Sequence, residues 1–248
     1  MRQIIFREDP GSLAMGIDEA LLESMMDGGE STFRLYRFNP SCVTLGYFQG
    51  YKDEIFHESR IEQGIDAVRR ITGGGAVFHD FNGEITYSVV ATRKEVGAVV
   101  VDSYEKICQG LVNALDELGL EGKFSPINDV LIGEKKVSGS AQTRRGEYVL
   151  QHGTFMYSTD IEQLFSVLNV SKTKIADKML ASIKDRVLTV EQALERKVEM
   201  DEVINALEKG FGKVFGDFEK SDLTEAELSR AKQLAEEKYG TDEWLNKR

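Results

Sequence analysis

Sulfur, imidazole and positive charge are scarce in this chain. Of its 248 residues two are cysteine and three are histidine, and 31 lysines and arginines stand against 42 aspartates and glutamates. Cys42 and Cys108 lie far apart and show no metal-ligand spacing, which argues against a disulfide framework and fits a reducing, cytoplasmic setting. His57, His79 and His152 pair with no nucleophile at a recognisable spacing. The net charge of -11 argues against general nucleic-acid binding. No apolar run is long enough to cross a bilayer, and Met1 to Glu8 lacks the apolar core of a signal peptide, so no membrane partner is expected.

What is present reads as one large soluble domain, or one domain with a small appendage. Hydrophobic residues make up 41% of the chain, ordinary for a globular protein. Its centre is Arg69-Arg70-Ile71-Thr72-Gly73-Gly74-Gly75-Ala76-Val77-Phe78-His79-Asp80. Glycine allows close approach to the main chain, and arginine stays charged at any ordinary pH. Strand-like residues flank the triplet, so it reads as a turn inside a sheet whose N–H groups can face an anion, with the arginines at the edge of the opening. By itself a glycine triplet equally suits a bland hairpin.

Ile4 to Phe6 reads as a strand, and a helix capped by Ser12 runs to about Met26 with Leu13, Ile17, Ala20, Leu21 and Met25 on its buried stripe. Asp18 and Glu19 read as solvated or capping charges. Strands follow at Thr32 to Phe38 and Cys42 to Leu45, then Gly46-Tyr47-Phe48-Gln49, where Tyr47 and Phe48 could wall an apolar slot, although Phe48 reads better as core. A polar helix is expected over Asp53 to Gln63, a strand over Glu84 to Val90, and a helix from Asp102 or Ser103 to Leu118 that holds Cys108. Asp129 opens a strand that returns through Lys135-Lys136-Val137-Ser138-Gly139-Ser140-Ala141. Adjacent lysines on a strand point to opposite faces, and the small residues that follow leave room for one of them to turn inward. Tyr148 to Tyr157 is a strand in which His152 is site-lining at most. Ile161 to Leu168 is helical, Lys172 to Asp185 reads as a mobile polar stretch, and helices fill Thr189 to Leu194, Met200 to Val214 and Leu223 to Tyr239.

Together, Arg69-Arg70 with the Gly triplet and Ala76 to Asp80, the Gly46-Tyr47-Phe48-Gln49 stretch, Asn128-Asp129, Lys135 to Ala141 and His152-Gly153-Thr154 resemble the lipoate–protein ligase and octanoyltransferase family. The resemblance runs from about Leu13 to Val187. It implies an α+β fold of the class II synthetase kind, a mixed, mostly antiparallel sheet flanked by helices, with a catalytic domain over 1–187 and a helical extension over 188–248 packed on it. It puts the active-site lysine at Lys136. It implies that Arg70, Gly73, Gly74, Gly75, Ala76, Val77, Phe78, Ser138 and Gly139 join Lys136 in binding ATP or lipoyl-adenylate. Gly46, Tyr47, Gln49, His79, Asp129 and His152 are lining residues on the same ground, and Asp129 is the one candidate for Mg2+.

Within such a family, acyl transfer from a carrier thioester needs a cysteine nucleophile. The two places where the transferase branches carry it correspond to Leu168-Asn169-Val170-Ser171 and Phe124 to Asp129, and neither contains one. An ATP-using ligase is therefore favoured over an octanoyltransferase or a non-catalytic lipoate-binding subunit. A biotin ligase is disfavoured, since the Gly triplet stands where its alternating Gly/Arg signature belongs. The implied partners are lipoyl domains of E2 subunits and the glycine cleavage H protein. Because only helices follow the catalytic region, a separate small accessory subunit is also implied.

Overall fold

The structure, a computed structural model, describes residues 1–169 and 184–248. Its strands are β1 (Arg2–Asp9), β2 (Thr32–Phe38), β3 (Cys42–Leu45), β4 (Asp66–Arg69), β5 (Val77–His79), β6 (Glu84–Thr92), β7 (Gly122–Ser125), β8 (Asp129–Ile132), β9 (Lys135–Arg145), β10 (Tyr148–Met156) and β11 (Glu219–Ser221). The described helices are α1 (Gly11–Met26), α2 (Tyr51–Glu54), α3 (His57–Glu62), α4 (Arg93–Val96), α5 (Val100–Glu117), α6 (Ile161–Val167), α7 (Val190–Leu194), α8 (Met200–Phe215), α9 (Glu225–Leu234) and α10 (Asp242–Leu245), with a π turn over Ala235–Tyr239 after α9.

Eight strands form the main sheet in the order β11-β1-β2-β6-β10-β9-β8-β7. Only the β11-β1 and β1-β2 pairs are parallel. The expected α+β fold with a mostly antiparallel sheet is what the chain adopts. Strand alternation divides the core. Phe33 and Leu35 of β2, with Tyr87 and Val89 of β6, pack towards Ile107, Leu111 and Leu115 of α5 and Leu207 and Phe211 of α8. On the other face, Tyr36, Phe38, Val90 and Leu150 meet Ile17 and Leu21 of α1 and Leu234 of α9. Burying both faces of the central strands takes the fold beyond a single amphipathic layer.

A small sheet, β4-β3-β5, sits beside the first, with its own core of Val43, Leu45, Ile65, Phe78, Val167 and Leu168. β3 runs parallel to β4 and antiparallel to β5. The glycine triplet therefore connects two strands that flank β3, and the bland hairpin alternative is not what forms. It crosses the end of β3 to reach β3's other side, which forces it over Gly46.

Three further expectations change. The polar helix over Asp53 to Gln63 is two short helices, α2 and α3, separated by extended residues at Ile55 and Phe56. α1 starts after Pro10 without a side-chain cap from Ser12, and it is buried on nearly every side, Asp18 and Glu19 included. Both acids are neutralised: Asp18 by Arg34 and Glu19 by Arg145 and Lys238. The extension is more than helices, since β11 joins the edge of the main sheet beside β1 while α8 packs on α5 and α9 on α1. The readings of Val170, Ser171 and most of Lys172 to Asp185 lie outside the described residues. No described helix is long and apolar enough to cross a membrane.

Candidate active site

The site begins where β3 ends. Tyr47 N–H donates to the carbonyl of Thr72 at 2.9 Å, and Arg70 N–H to the carbonyl of Leu45 at 3.0 Å, so the glycine loop is laced across the strand end. At Gly46 even a methyl group would collide with the Gly74 carbonyl. Glycine is required there for the two backbones to touch.

Arg70 explains the shape of the loop, and not in the way its sequence position suggested. It is 3% exposed. Its Nε donates to Thr72 Oγ1 at 2.9 Å and its Nη1 to the Thr44 carbonyl at 3.0 Å. Nη2 takes the carbonyls of Gly73 at 2.8 Å and Gly75 at 2.7 Å. The guanidinium is thus spent on the protein's own carbonyls and does not stand at an opening as a phosphate clamp. Burial brings it down to about 10, still charged at neutral pH. In a trans peptide the N–H points away from the preceding C=O. Drawing the Gly73 and Gly75 carbonyls inward therefore turns the amides of Gly74 and Ala76 away from Arg70, a partial positive lining for an anion.

A second buried chain stands behind Thr72. Thr72 Oγ1, which accepts from Arg70, lies 2.8 Å from His152 Nε2 and donates its proton there when the neutral ring carries its hydrogen on Nδ1, facing Asp18. His152 Nδ1–H then donates to Asp18 Oδ2 at 2.8 Å, and Asp18 is held by Arg34 at 2.9 Å and by the Tyr36 hydroxyl at 3.2 Å. Burial pushes the His152 imidazole down against the pull of Asp18. Burial pushes the Asp18 carboxyl up, but Arg34 and His152 outweigh it and leave it below the usual range. His79 mirrors this on the other flank. Its Nε2 meets Thr44 Oγ1 at 3.1 Å, and its Nδ1 meets Glu84 and Thr86, each at 3.2 Å. Burial takes His79 down to about 3 and pushes Glu84 well above the ordinary carboxyl range. Both histidines are props beneath the loop.

Lys136 enters from the main sheet. Lys135 points to solvent, whereas Lys136 is 38% exposed along its side chain and pairs with Asp129 at 2.8 Å. Its ammonium hangs over Gly139, 2.5 Å from where a Cβ would stand. Gly139 and Ala141 share one face of β9. A Cβ at Gly74 would lie 3.9 Å from that of Ala141. Lys136 and the glycine loop thus approach the same face of β9 two residues apart, the one over Gly139 and the other beside Ala141.

Other expected members stand elsewhere. Ser138 is fully buried, on the face opposite Gly139. Phe78 packs in the core of the small sheet, so only its backbone stands near the loop. Ala76 and Val77 are half-buried at the loop's exit. Gln49 turns back to accept the Gly46 N–H at 2.9 Å. Tyr47 is half-buried, and Phe48 is 72% exposed, so it is not the core residue expected. Among the described residues no three His, Cys, Asp or Glu side chains gather into a metal cluster.

Neither sulfur lies in this cleft. Cys42 is buried at the far end of β3 near Asp66, and burial pushes its thiol well up. Cys108, on α5, sits behind the main sheet 3.5 Å from Ser140 Oγ, and burial pushes it up to about 11. Asp18, Thr44, Thr72 and Glu84 escaped the sequence reading as site-forming residues. Asp18 and His152 are 134 residues apart, and no local pattern joins them.

The chain resembles known proteins along nearly its whole length. Residues 10–212 match the family described as the lipoyl protein ligase A/B catalytic domain. Lipoate-protein ligase A subunit 1 of Thermoplasma acidophilum is 35% identical, over 98% of this chain and 95% of its own. Octanoyltransferase LipM of Carboxydothermus hydrogenoformans is 34% identical, over 95% and 94%. Among solved structures, the bipartite lipoate protein ligase of T. acidophilum, described with its E2 lipoyl domain, superposes with a TM-score of 0.88 at 35% identity, covering 98% of this chain and 95% of that one. A T. acidophilum protein of the lipoate protein ligase type with bound lipoic acid gives 0.85 at 30%, covering 100% and 98%, and a lipoate-protein ligase A bound with ATP gives 0.85 at 32%, covering 98% and 97%. With its glycine loop, its strand lysine and this likeness along nearly its whole length, the chain belongs to the lipoyl protein ligase A/B catalytic domain family of lipoate ligases and octanoyltransferases.

Proposed function

We propose that this chain is the catalytic subunit of an ATP-dependent, AMP-forming lipoate–protein ligase. The observation that carries this reading is the placement of sulfur. The sequence has two cysteines, both are buried, and burial disfavours the thiolate of each. Covalent acyl transfer needs an accessible thiolate at the site. Adenylation needs none. The carboxylate oxygen of lipoate attacks the α-phosphate of ATP, forming lipoyl-AMP and releasing pyrophosphate. A lysine amine of a lipoyl domain then attacks the acyl carbon, loses a proton and displaces AMP.

Negative charge crowds at the α-phosphate as the carboxylate approaches. A lysine ammonium reaching both groups stabilises that charge and aligns them, and amides already aimed by Arg70 need no rearrangement at the moment of reaction. Gly73, Gly74, Gly75, Ala76 and Gly139 line this cleft through their backbones. Arg70, His79 and His152 serve it from behind. Asp129 can offer Mg2+ one carboxylate, the phosphates supplying other ligands as is usual for that ion; bound there, magnesium neutralises charge on the polyphosphate.

Relatives named octanoyltransferase keep a second reading open at the same site. The two separate cleanly on mixing the protein with ATP, lipoate and a lipoyl domain, with and without a candidate accessory subunit of the kind the bipartite relative has. AMP and pyrophosphate are expected, more with the partner. Octanoyl transfer from a carrier thioester without ATP overturns the ligase reading. Lipoyl domains of E2 subunits are the proposed acceptors, with glycine cleavage H protein beside them, and the cytoplasm the proposed location.

A further inference from the structure

Arg69 and Arg70 are neighbours in sequence, yet Arg70 holds the glycine loop while Arg69 holds the Gly46–Gln49 segment on which that loop lies. Arg69 is wholly buried. Its Nη1 donates to the carbonyls of Gly46 at 3.0 Å, Tyr47 at 3.2 Å and Gln49 at 2.6 Å. Its Nε and Nη2 turn the other way, to the carbonyls of Trp244 at 3.0 Å and Leu245 at 2.6 Å. Trp244 answers with its indole N–H on the Arg69 carbonyl at 2.8 Å. Lys247 Nζ donates to the Tyr47 hydroxyl at 3.0 Å and stands 4.8 Å and 4.4 Å from the ring centres of Tyr47 and Trp244.

One guanidinium thus ties α10 to the Gly46–Gln49 segment, which in turn lies on the glycine loop through Gly46 and the Tyr47 N–H. That segment is an irregular turn that starts on Gly46 and is followed by Gly50, with little backbone preference of its own. Residues 242–248 also fall outside the 10–212 span that matches the family.

We propose that Trp244 and Lys247 are positioning residues which, through Arg69, hold the Gly46–Gln49 wall and the glycine loop in their binding shape. They touch no reacting atom. Their effect is on how firmly the cleft is preformed, so it falls on substrate binding before turnover. The part of this inference that concerns substrates rests on the ligase reading above.

The brace is testable without any substrate. Backbone hydrogen exchange is followed by mass spectrometry on the full chain, as wild type and as Trp244→Ala, Trp244→Phe and Lys247→Met. In Trp244→Ala, exchange at Gly46, Tyr47, Gln49 and Arg70, whose amides are hydrogen-bonded, is expected to rise about tenfold, the scale of losing one hydrogen bond at the upper end of its usual worth. α5 should keep its protection. Trp244→Phe, which keeps the ring and loses the N–H, should fall between, and Lys247→Met should act on Tyr47 to Gln49. Unchanged exchange across Gly46 to Gln49 and at Arg70 overturns the proposal, and so does acceleration spread equally over α5, which would mark a general loss of stability.

A kinetic measurement follows on the same variants. The KM values for lipoate and ATP should rise about tenfold in Trp244→Ala with kcat held within about twofold, the signature of lost ground-state positioning. A fall in kcat at constant KM overturns it. Should wild type release no AMP at all, the ligase reading fails while the exchange result still decides the brace.

Discussion

Lys136 keeps its ammonium partly in water at 2.8 Å from Asp129, whereas Arg70 loses nearly all its exposure to hold loop carbonyls. The two cations therefore fail differently when removed. Lys136→Met should lower kcat by about 10²- to 10³-fold, as loss of a preorganised charge does elsewhere, and leave the melting temperature where it was. A large drop in melting temperature with proportionate activity would make Lys136 structural. Below the loop, His79 carries a pH dependence whose sign follows from burial. It titrates at about 3 in the fold, against about 6.5 in an unfolded chain. As pH falls below the latter value, the unfolded chain takes up a proton that the native one refuses. Its contribution is complete at higher pH and drains away towards pH 3. Glu84, pushed upward, works in the opposite sense and loses native stability as pH rises through its range. Replacing His79 by Gln removes the first effect. Urea midpoints should show wild type losing its advantage over H79Q on acidification, by about 1.4 kcal/mol per pH unit at most. An advantage that grows on acidification contradicts a neutral His79.

At the level of elements, the glycine loop separates folding from binding. A Cβ at Gly73 or Gly75 would meet nothing within 4 Å, and neither residue has a positive φ. Nothing in the fold itself needs glycine at these two positions. Gly75→Ala should therefore melt like wild type while weakening ATP binding about tenfold or more, because a methyl group occupies the space a phosphate needs. Equal ATP affinity by calorimetry would remove the loop from the binding site. Gly46→Ala should behave otherwise. It forces apart β3's end and the Gly74 carbonyl, and both stability and binding should drop.

Across the whole molecule, the main sheet acts as a partition. Lys136, Gly139 and the glycine loop lie to one side, and Cys108 with Ser140 and Tyr87 on the other. Replacing both Cys42 and Cys108 by Ala is expected to leave AMP formation within about threefold of wild type, the change being two conservative core truncations. Abolished acyl transfer with intact folding would instead reveal a thiol step. The proposed dependence on an accessory subunit also belongs to this scale, since α7 to α10 are already committed to the chain's own sheet and helices.

Much of this was legible in the residues themselves. Period-two alternation located β2 and β6, and the strand opened by Asp129 returned as β9 with two lysines on opposite faces. Such patterns depend on neighbours a few positions away, so the chain alone fixes them. It also determined the absence of a sulfur nucleophile in the transferase positions. Three decisions required tertiary contacts. Burial of Arg70 and Asp18 follows from the crossing of β3 by a loop and from α1 lying over the main sheet, neither of which leaves a local trace. The strand inserted between β4 and β5 is a choice of pairing, and pairing energy is gained only between segments distant in sequence. Which lysine faces the cleft, and how far it stands from the glycine loop, depended on two separate sheets meeting, and composition and spacing carry no record of that distance.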